Sequence, residues 1–386
     1  MPLDEMLRNF INMTPGQNSF VSVYLDLRPD GSGKKRYSLF LKNRLAELSD
    51  CFPNHSPEQG FLTKDIKRIQ KYLEEDLDSA LKGIALFACA AENLFVSIPM
   101  PLPPENAVFL DPSPCLFSLV RHADLYKTHA VVVATSQHAR LFLVRLGRLA
   151  EHLTLSWEEK HITRSGRVGW SERRSDKRFE RHLQEHIKQR AKEIVENLGK
   201  LTNLEKIEYL FAGAEEEMQT ELKRQIPSAM RKKLVSLPSL DTHSPDHKVL
   251  AVASESLHSI SREKAEGLAK QILDEAEPLG RASSGPEPTL SALQNHQIER
   301  LVFDAHFQAT GWRCLACSSL GIGGLPKTCP FCQGRVYLVD LREEIVIKAK
   351  SMSIDLFFTE NFPPLLKAGG VAALLKYQAL KKSPRR

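Results

Sequence analysis

The stretch "HAVVVATSQHARLFLVRLGRLAEHLTLSW", His129–Trp157, decides how this chain is read. Its apolar runs are separated by short polar breaks. The breaks at Ser136-Gln137-His138 and Gly147-Arg148 read as two turns, so the stretch spells a three-strand meander. From Ser175 the period changes: Phe179, Leu183, Ile187, Ala191, Ile194 and Leu198 fall on one face of a long helix, with Gly199 as its expected end. "IEYLFAG" (Ile207–Gly213) returns to strand, and "EEEMQTELKRQI" to a helix stopped by Pro227. "KVLAVASESLHSI" reads as strand or as helix start, and "REKAEGLAKQIL" as a long helix. Strands interleaved with helices define an α/β (α+β) chain with a mixed sheet.

Outward from this block, "FVSVYLDLRP" reads as a half-buried strand from Phe20 to Leu27, followed by helices at Tyr37–Leu48 and Thr63–Lys82. "GIALFACAA" and "LFVSIPM" read as paired strands turning at Glu92-Asn93. The Pro-rich "PMPLPPENAVFLDPSP" and "EPLGRASSGPEPT" (Glu277–Thr289) read as linkers. The expected domains are 1–126, 127–282 and 283–386, consistent with 386 residues being too many for one ordinary core. The composition, 42% hydrophobic and 26% charged, is that of a globular protein. No apolar run approaches the roughly 18 residues of a membrane span. "MPLDEMLRNF" lacks a signal-peptide core, so a cytoplasmic protein with no membrane partner is expected.

Seven cysteines divide into two groups. Cys51, Cys89 and Cys115 are scattered among apolar residues and are expected to be buried. Cys314, Cys317, Cys329 and Cys332 form two CxxC turns, a spacing that brings four thiolates to one tetrahedral ion. Such a set of four sulfurs suits Zn2+ or, less often, iron. With four protein ligands the site would be closed and structural; the competing reading is four free or redox-active thiols. "GIGGLP" (Gly321–Pro326) reads as a flexible tip between the pairs.

The second chemical feature is "SGRVGWSERRSDKRFERHLQEHIKQRAK", Ser165–Lys192. Between His161 and Lys192 there are ten basic and four acidic residues, an excess equal to the chain's whole net charge of +6. Arg164, Arg167, Gly169, Trp170, Arg173, Arg174, Lys177, Arg178 and Arg181 are candidates for RNA binding: cations for phosphates, glycine for close approach, and a tryptophan face for a base. The bland reading is a solvated helix face partly cancelled by Glu172, Asp176 and Glu180, with Trp170 tucked against the core. His182 and His186, four apart, lack a third metal ligand. No GxxxxGK[ST], HExxH, GxSxG or GxGxxG pattern occurs.

Three features in this order carry a family resemblance. They are "KRFERHLQEHIKQ" behind a Gly-containing loop, then "CLAC…CPFC", then the closing "GGVAALLKY" (Gly369–Tyr377). Together they resemble the archaeo-eukaryotic class-one release factors and Pelota, in particular the bacterial members of that superfamily and their ribosome hibernation factor. The resemblance implies three domains: an N-terminal one on the decoding-centre side, an RNase-H-like middle one, and a last one like the kink-turn-binding ribosomal proteins with a zinc-ribbon insertion. It implies the ribosomal A site as partner, with contacts to large- and small-subunit rRNA, elongation factor Tu as an associated protein, and a monomer. Lys34, Lys35 and Arg36 are its candidates for RNA contact near the decoding centre.

The departures matter most. Release factors of the superfamily carry Gly-Gly-Gln ahead of Arg-Phe-Glu-Arg. Here the region reads "RVGWSERRSDKRFER", and no glutamine stands between Arg164 and Leu183. The stop-reading Asn-Ile-Lys-Ser is absent too. The expectation is therefore an A-site occupant with no catalytic residues. Two other expectations stand beside it: a rescue factor hydrolysing peptidyl-tRNA with a degenerate loop, and a non-ribosomal RNA-binding zinc protein.

Overall fold

The computed structural model describes residues 3–11, Met13, 19–31, Gly33, 35–49, 51–53, 55–79, 81–145, 148–157, 172–201, 207–238, 240–276 and 280–377. The chain divides into two compact units, Met1–Asp124 with His258–Arg386, and Leu125–Leu257. The sequence predicts three consecutive domains instead. The first predicted boundary, at 126/127, lies beside the observed 124/125 crossing, whereas the return crossing falls at 257/258, inside a helix.

In the first unit, α1 (Leu3–Ile11) precedes β1 (Phe20–Asp26), α2 (Tyr37–Ser49) and α3 (Pro57–Lys71). The strands β2 (Gly83–Cys89), β3 (Leu94–Met100) and β4 (Ala107–Asp111) complete an antiparallel sheet ordered β3-β2-β1-β4. The helix expected at Thr63 begins earlier, because the Ser56 hydroxyl caps it by accepting from Gln59 N–H at 3.1 Å and Pro57 opens it. It runs on as a π turn over Tyr72–Asp76. The strand expected to be half-buried is buried on both faces, since β1 is an inner strand. Its polar side chains are satisfied there: Ser22 Oγ accepts from Cys115 N–H at 3.1 Å, and Tyr24 donates to the Cys115 carbonyl at 2.6 Å. The Pro-rich "linker" supplies an edge strand, β4. Cys89 and Cys115 are buried as expected, but Cys51 is exposed because it follows α2 outside the core.

α4 (Phe117–Arg121) closes this segment. The second unit carries β5 (His129–Ala134), β6 (His138–Arg145), β7 (Arg148–Ser156), α5 (Glu172–Leu201), β8 (Tyr209–Ala214), α6 (Glu216–Gln225), α7 (Ser228–Arg231), β9 (Leu234–Ser236) and the start of α8 (Asp246–Glu275). Its sheet is ordered β7-β6-β5-β8-β9. The meander pairs antiparallel, β8 pairs parallel to β5, and β9 parallel to β8. Counted within the unit this is 3-2-1-4-5, the strand order of RNase-H-like domains. The segment with the ambiguous strand or helix pattern belongs to α8, a single 30-residue helix. Gly199 does not end α5, which continues to Leu201.

The chain returns to the first unit with β10 (Ala282–Ser284), α9 (Pro286–Gln294), β11 (Ile298–Asp304), β12 (Thr310–Cys314), β13 (Leu320–Ile322), β14 (Val336–Asp340), α10 (Leu341–Ser351), β15 (Asp355–Thr359), α11 (Pro363–Lys367) and β16 (Val371–Leu375). A mixed sheet, β10-β16-β11-β15, and a three-stranded ribbon, β13-β12-β14, result. The second "linker" holds β10 and the start of α9. The expected flexible tip contains β13, whose Gly321 lies under the Trp312 ring: a Cβ there would meet it at 2.3 Å. The Gly-Gly that opens "GGVAALLKY" is also conformational. Gly369 and Gly370 have φ of +97° and +77°, and a Cβ on Gly369 would lie 2.7 Å from Pro286 Cδ.

Within this unit, the first and last segments are joined by α4. Phe117 meets Phe303 and Phe358 edge to face at 6.1 and 5.4 Å, with the Arg342 guanidinium 4.5 Å above its ring. Glu343 is buried and accepts from the Leu116 and Phe117 N–H groups at 2.7 and 2.9 Å. Burial pushes its carboxyl up to about 7, against the pull of those N–H donors and of Arg342.

Two measurements test this packing. The folded state binds the Glu343 proton more tightly than an unfolded chain does, so its contribution to stability falls as pH rises from about 4.5 to about 7. Denaturant melts of Glu343→Gln across this range should show a flatter pH dependence, by on the order of 3 kcal/mol between the two ends. Gly369→Ala should cost about 1–3 kcal/mol in the same assay, because it strains a positive φ beside Pro286.

Candidate metal centre and basic helix

The four paired cysteines meet at the end of the ribbon, their sulfurs all within 4.8 Å of one another. Cys314 Sγ is 3.4 Å from Cys332 Sγ, Cys317 Sγ 3.6 Å from Cys329 Sγ, and Cys317 and Cys332 are 3.3 Å apart. The backbone builds the same turn twice. Ser318 N–H donates to the Cys314 carbonyl at 3.0 Å, and Gln333 N–H to the Cys329 carbonyl at 2.9 Å. Cys314 and Cys329 N–H donate to Ser319 and Gly334 carbonyls, both at 2.9 Å. Ser318 and Gln333, each following a second cysteine, take φ of +54° and +57°. This sharp bend turns both thiols of a pair inward.

Cys314 and Cys329 are buried with Trp312 and Val336, while Cys317 and Cys332 face solvent. Hydrogen bonding to the Ser319 side chain and backbone lowers the Cys317 thiol to about 6. The Gly334 N–H draws Cys332 down too, but the Cys317 and Cys314 sulfurs outweigh it and push that thiol up to about 12. A cation among four sulfurs favours the deprotonated form of all four. The residues fit a metal ion held by four thiolates; no fifth donor is needed and no position is left for substrate. Ser319 is a supporting residue that spacing alone does not single out, beyond its place two residues after Cys317.

The basic helix has a different geometry. Ile187, Ala191, Ile194 and Leu198 of α5 pack on the meander core with Ala130, Val132 and Leu141. N-terminal to Ile187 the helix leaves that core: Arg181, Gln184 and Glu185 are exposed, and Leu183, expected on the buried face, is 40% exposed. At about 1.5 Å rise per residue, the helix start at Glu172 lies roughly 22 Å beyond Ile187. Trp157, at the end of the meander, clamps the inner part. Its indole donates to Glu193 at 2.8 Å, the Arg190 guanidinium stands 5.6 Å over its ring, and Arg190 also donates to the Ser136 carbonyl.

Basic residues near the core are thus already engaged. Besides Arg190, Lys188 pairs with Glu185 and Lys192 with Glu196, each at 3.8 Å. Residues 164–181 hold seven basic against three acidic residues. Of the candidates, Arg181 is exposed on the projecting helix. Arg173, Arg174, Lys177 and Arg178 lie on its backbone, and their side chains are not among those described. Arg164, Arg167, Gly169, Trp170 and Lys34 lie outside the described residues, while Lys35 and Arg36 are exposed before α2.

Residues 114–257 match the family model of bacterial archaeo-eukaryotic release factor family 10. The match ends where the second compact unit ends. Over these residues the chain is similar to that family, the resemblance that the sequence motifs implied. Among solved structures, an archaeal translation termination factor, aRF1, is 14% identical over 97% of each chain, with a TM-score of 0.26. Archaeoglobus fulgidus Pelota is 13% identical over 77% of this chain and 80% of its own, at 0.36. An archaeal Pelota described as ribosome-bound with ABCE1 is 9% identical over 98% of this chain and 95% of its own, at 0.39. No curated protein matches the chain. Among the described residues no helix is long and apolar enough to cross a membrane.

Metal analysis tests the sulfur cluster directly. The purified protein should carry about one metal ion per chain, and Cys314→Ser should carry none. Losing a four-thiolate site of this kind removes on the order of 10 kcal/mol of folding energy from the ribbon. Trp312 fluorescence should therefore shift to the red in the variant, while the far-UV spectrum of the remaining domains persists.

Proposed function

We propose that this chain is a ribosome-binding factor that occupies the A site and holds the ribosome idle, without reading stop codons or hydrolysing the peptidyl-tRNA ester. The observation that carries this is the pairing of a domain that matches a release-factor family with a long basic helix, exposed at Arg181 and Leu183–Glu185, in a stretch that has no glutamine from Arg164 to Leu183. A cationic projection of roughly 22 Å is suited to reach into an RNA-walled site and be held by phosphates. Arg164, Arg167, Arg173, Arg174, Lys177, Arg178 and Arg181 supply the charge, and Gly169 and Trp170 the close approach and stacking surface. Lys34, Lys35 and Arg36 are the small-subunit contacts in this reading, and elongation factor Tu is an associated partner. The ion in the Cys314, Cys317, Cys329, Cys332 centre is Zn2+ in a structural role. The protein acts as a cytoplasmic monomer.

Co-sedimentation with purified ribosomes tests the proposal. The protein should pellet with vacant ribosomes and be displaced by A-site tRNA. Arg178→Glu with Arg181→Glu should weaken binding on the order of tenfold and reduce its salt dependence. Peptide release from a stalled complex should stay at background. Release that is lost on changing Gly169 or Ser171 would replace this reading with a rescue hydrolase.

A further inference from the structure

The ribbon carries a surface that its metal centre does not explain. Phe331 is 68% exposed and Leu315 60% exposed. Each lies between the two cysteines of a turn. The two turns are side by side: Leu315 N–H donates to the Arg335 carbonyl at 2.9 Å, and a Cβ on Gly334 would stand 3.0 Å from that of Ala316. Both turns are held by paired backbone hydrogen bonds, and their four sulfurs converge on one point.

Charge identifies the occupant. Lys327 and Arg335 are exposed, and no aspartate or glutamate occurs from Cys314 to Val339. Exposed apolar side chains alone fit a protein surface. An exposed aromatic ring on a segment that carries two exposed cations and no carboxylate of its own fits an unpaired nucleotide better: the base stacks and the backbone is neutralised.

We propose that the tip of the ribbon binds single-stranded RNA, with a base stacked on Phe331 against Leu315 and the flanking phosphates on Lys327 and Arg335. The source is an unpaired rRNA segment; this one point rests on the ribosome reading above, while the binding chemistry does not.

A short fluorescent oligouridylate titrated into the full-length protein tests it. Phe331→Ala should weaken binding about tenfold. Lys327→Ala with Arg335→Ala should lower the salt slope of log K by about 1.4. Metal content and Trp312 fluorescence report whether each ribbon stays folded. Binding unchanged in both variants overturns the proposal. A photoreactive phenylalanine analogue in place of Phe331 should cross-link to rRNA on irradiated ribosomes; a cross-link to a ribosomal protein overturns it in favour of protein docking. Loss of oligouridylate binding in the ribbon variants of a protein that fails to sediment with ribosomes would sink the A-site reading and leave this site standing. Sedimentation that is normal with an inert ribbon would do the reverse.

Discussion

A carboxylate removed from water holds the first and last segments of this chain together. Glu343 comes from α10, and it accepts from the N–H groups that open α4, more than two hundred residues earlier. Closing a loop of that length carries an entropic cost that rises only slowly with its size, so a few well-made contacts suffice. Two hydrogen bonds to the Glu343 carboxyl, the Phe117 ring among Phe303 and Phe358, and an Arg121–Glu360 ion pair supply them. A buried carboxylate is stabilising only while its donors are in place; without them it is an uncompensated group in a dry site. The junction is therefore specific as well as adhesive. It makes one compact unit of segments that the sequence separates by an entire domain.

That junction is not legible in the sequence, and the reason is physical. Glu343 stands in "LREEIVIK", where it looks like an ordinary solvated helix glutamate. Nothing local announces that it will be buried, because its partners are backbone groups. The same blindness makes β1 look half-buried: Ser22 and Tyr24 break its apolar run, yet both are satisfied by the Cys115 backbone from inside the fold. Proline misleads differently. The residues after Pro104 have the composition of a linker, whereas Ala107–Asp111 pairs with β1 as an edge strand, where missing neighbours are tolerated. What is legible rests on periodicity. The meander and the paired strands around Asn93 follow from short apolar runs between turns, and the buried stripe of α5 from Ile187 onward from its helical period.

The candidate site divides the same way. The four-cysteine cluster is legible because metal ligation constrains spacing along the chain as tightly as it does distance in space. Its supports, the left-handed Ser318 and Gln333 and the Ser319 hydroxyl beside Cys317, carry no spacing rule and emerge only in three dimensions. The closing Gly-Gly lies between these extremes. Its positive φ values and the closeness of Pro286 and Phe307 give it a packing reason that would hold in any protein of this fold, whatever its activity. A motif of this kind marks ancestry of the scaffold and says nothing about chemistry.

Charge is legible as a sum and illegible as a distribution. Counted along the sequence, the ten basic residues from Arg164 to Lys192 form one patch. In the fold, Lys188, Arg190 and Lys192 have local partners, and one of them braces Trp157 against the inner helix. Those groups anchor α5 to its domain and contribute little to long-range attraction, since each is screened by the carboxylate or ring it meets. The excess that remains lies N-terminal to Ile187 in the sequence. Among the described residues there, Arg181, Leu183, Gln184 and Glu185 are exposed, so the apolar stripe of α5 is uncovered at Leu183. Isolated helical turns are marginal in water. Arg181 and Leu183 stand exposed on this stretch, and it is its cations that the proposed RNA contact would use.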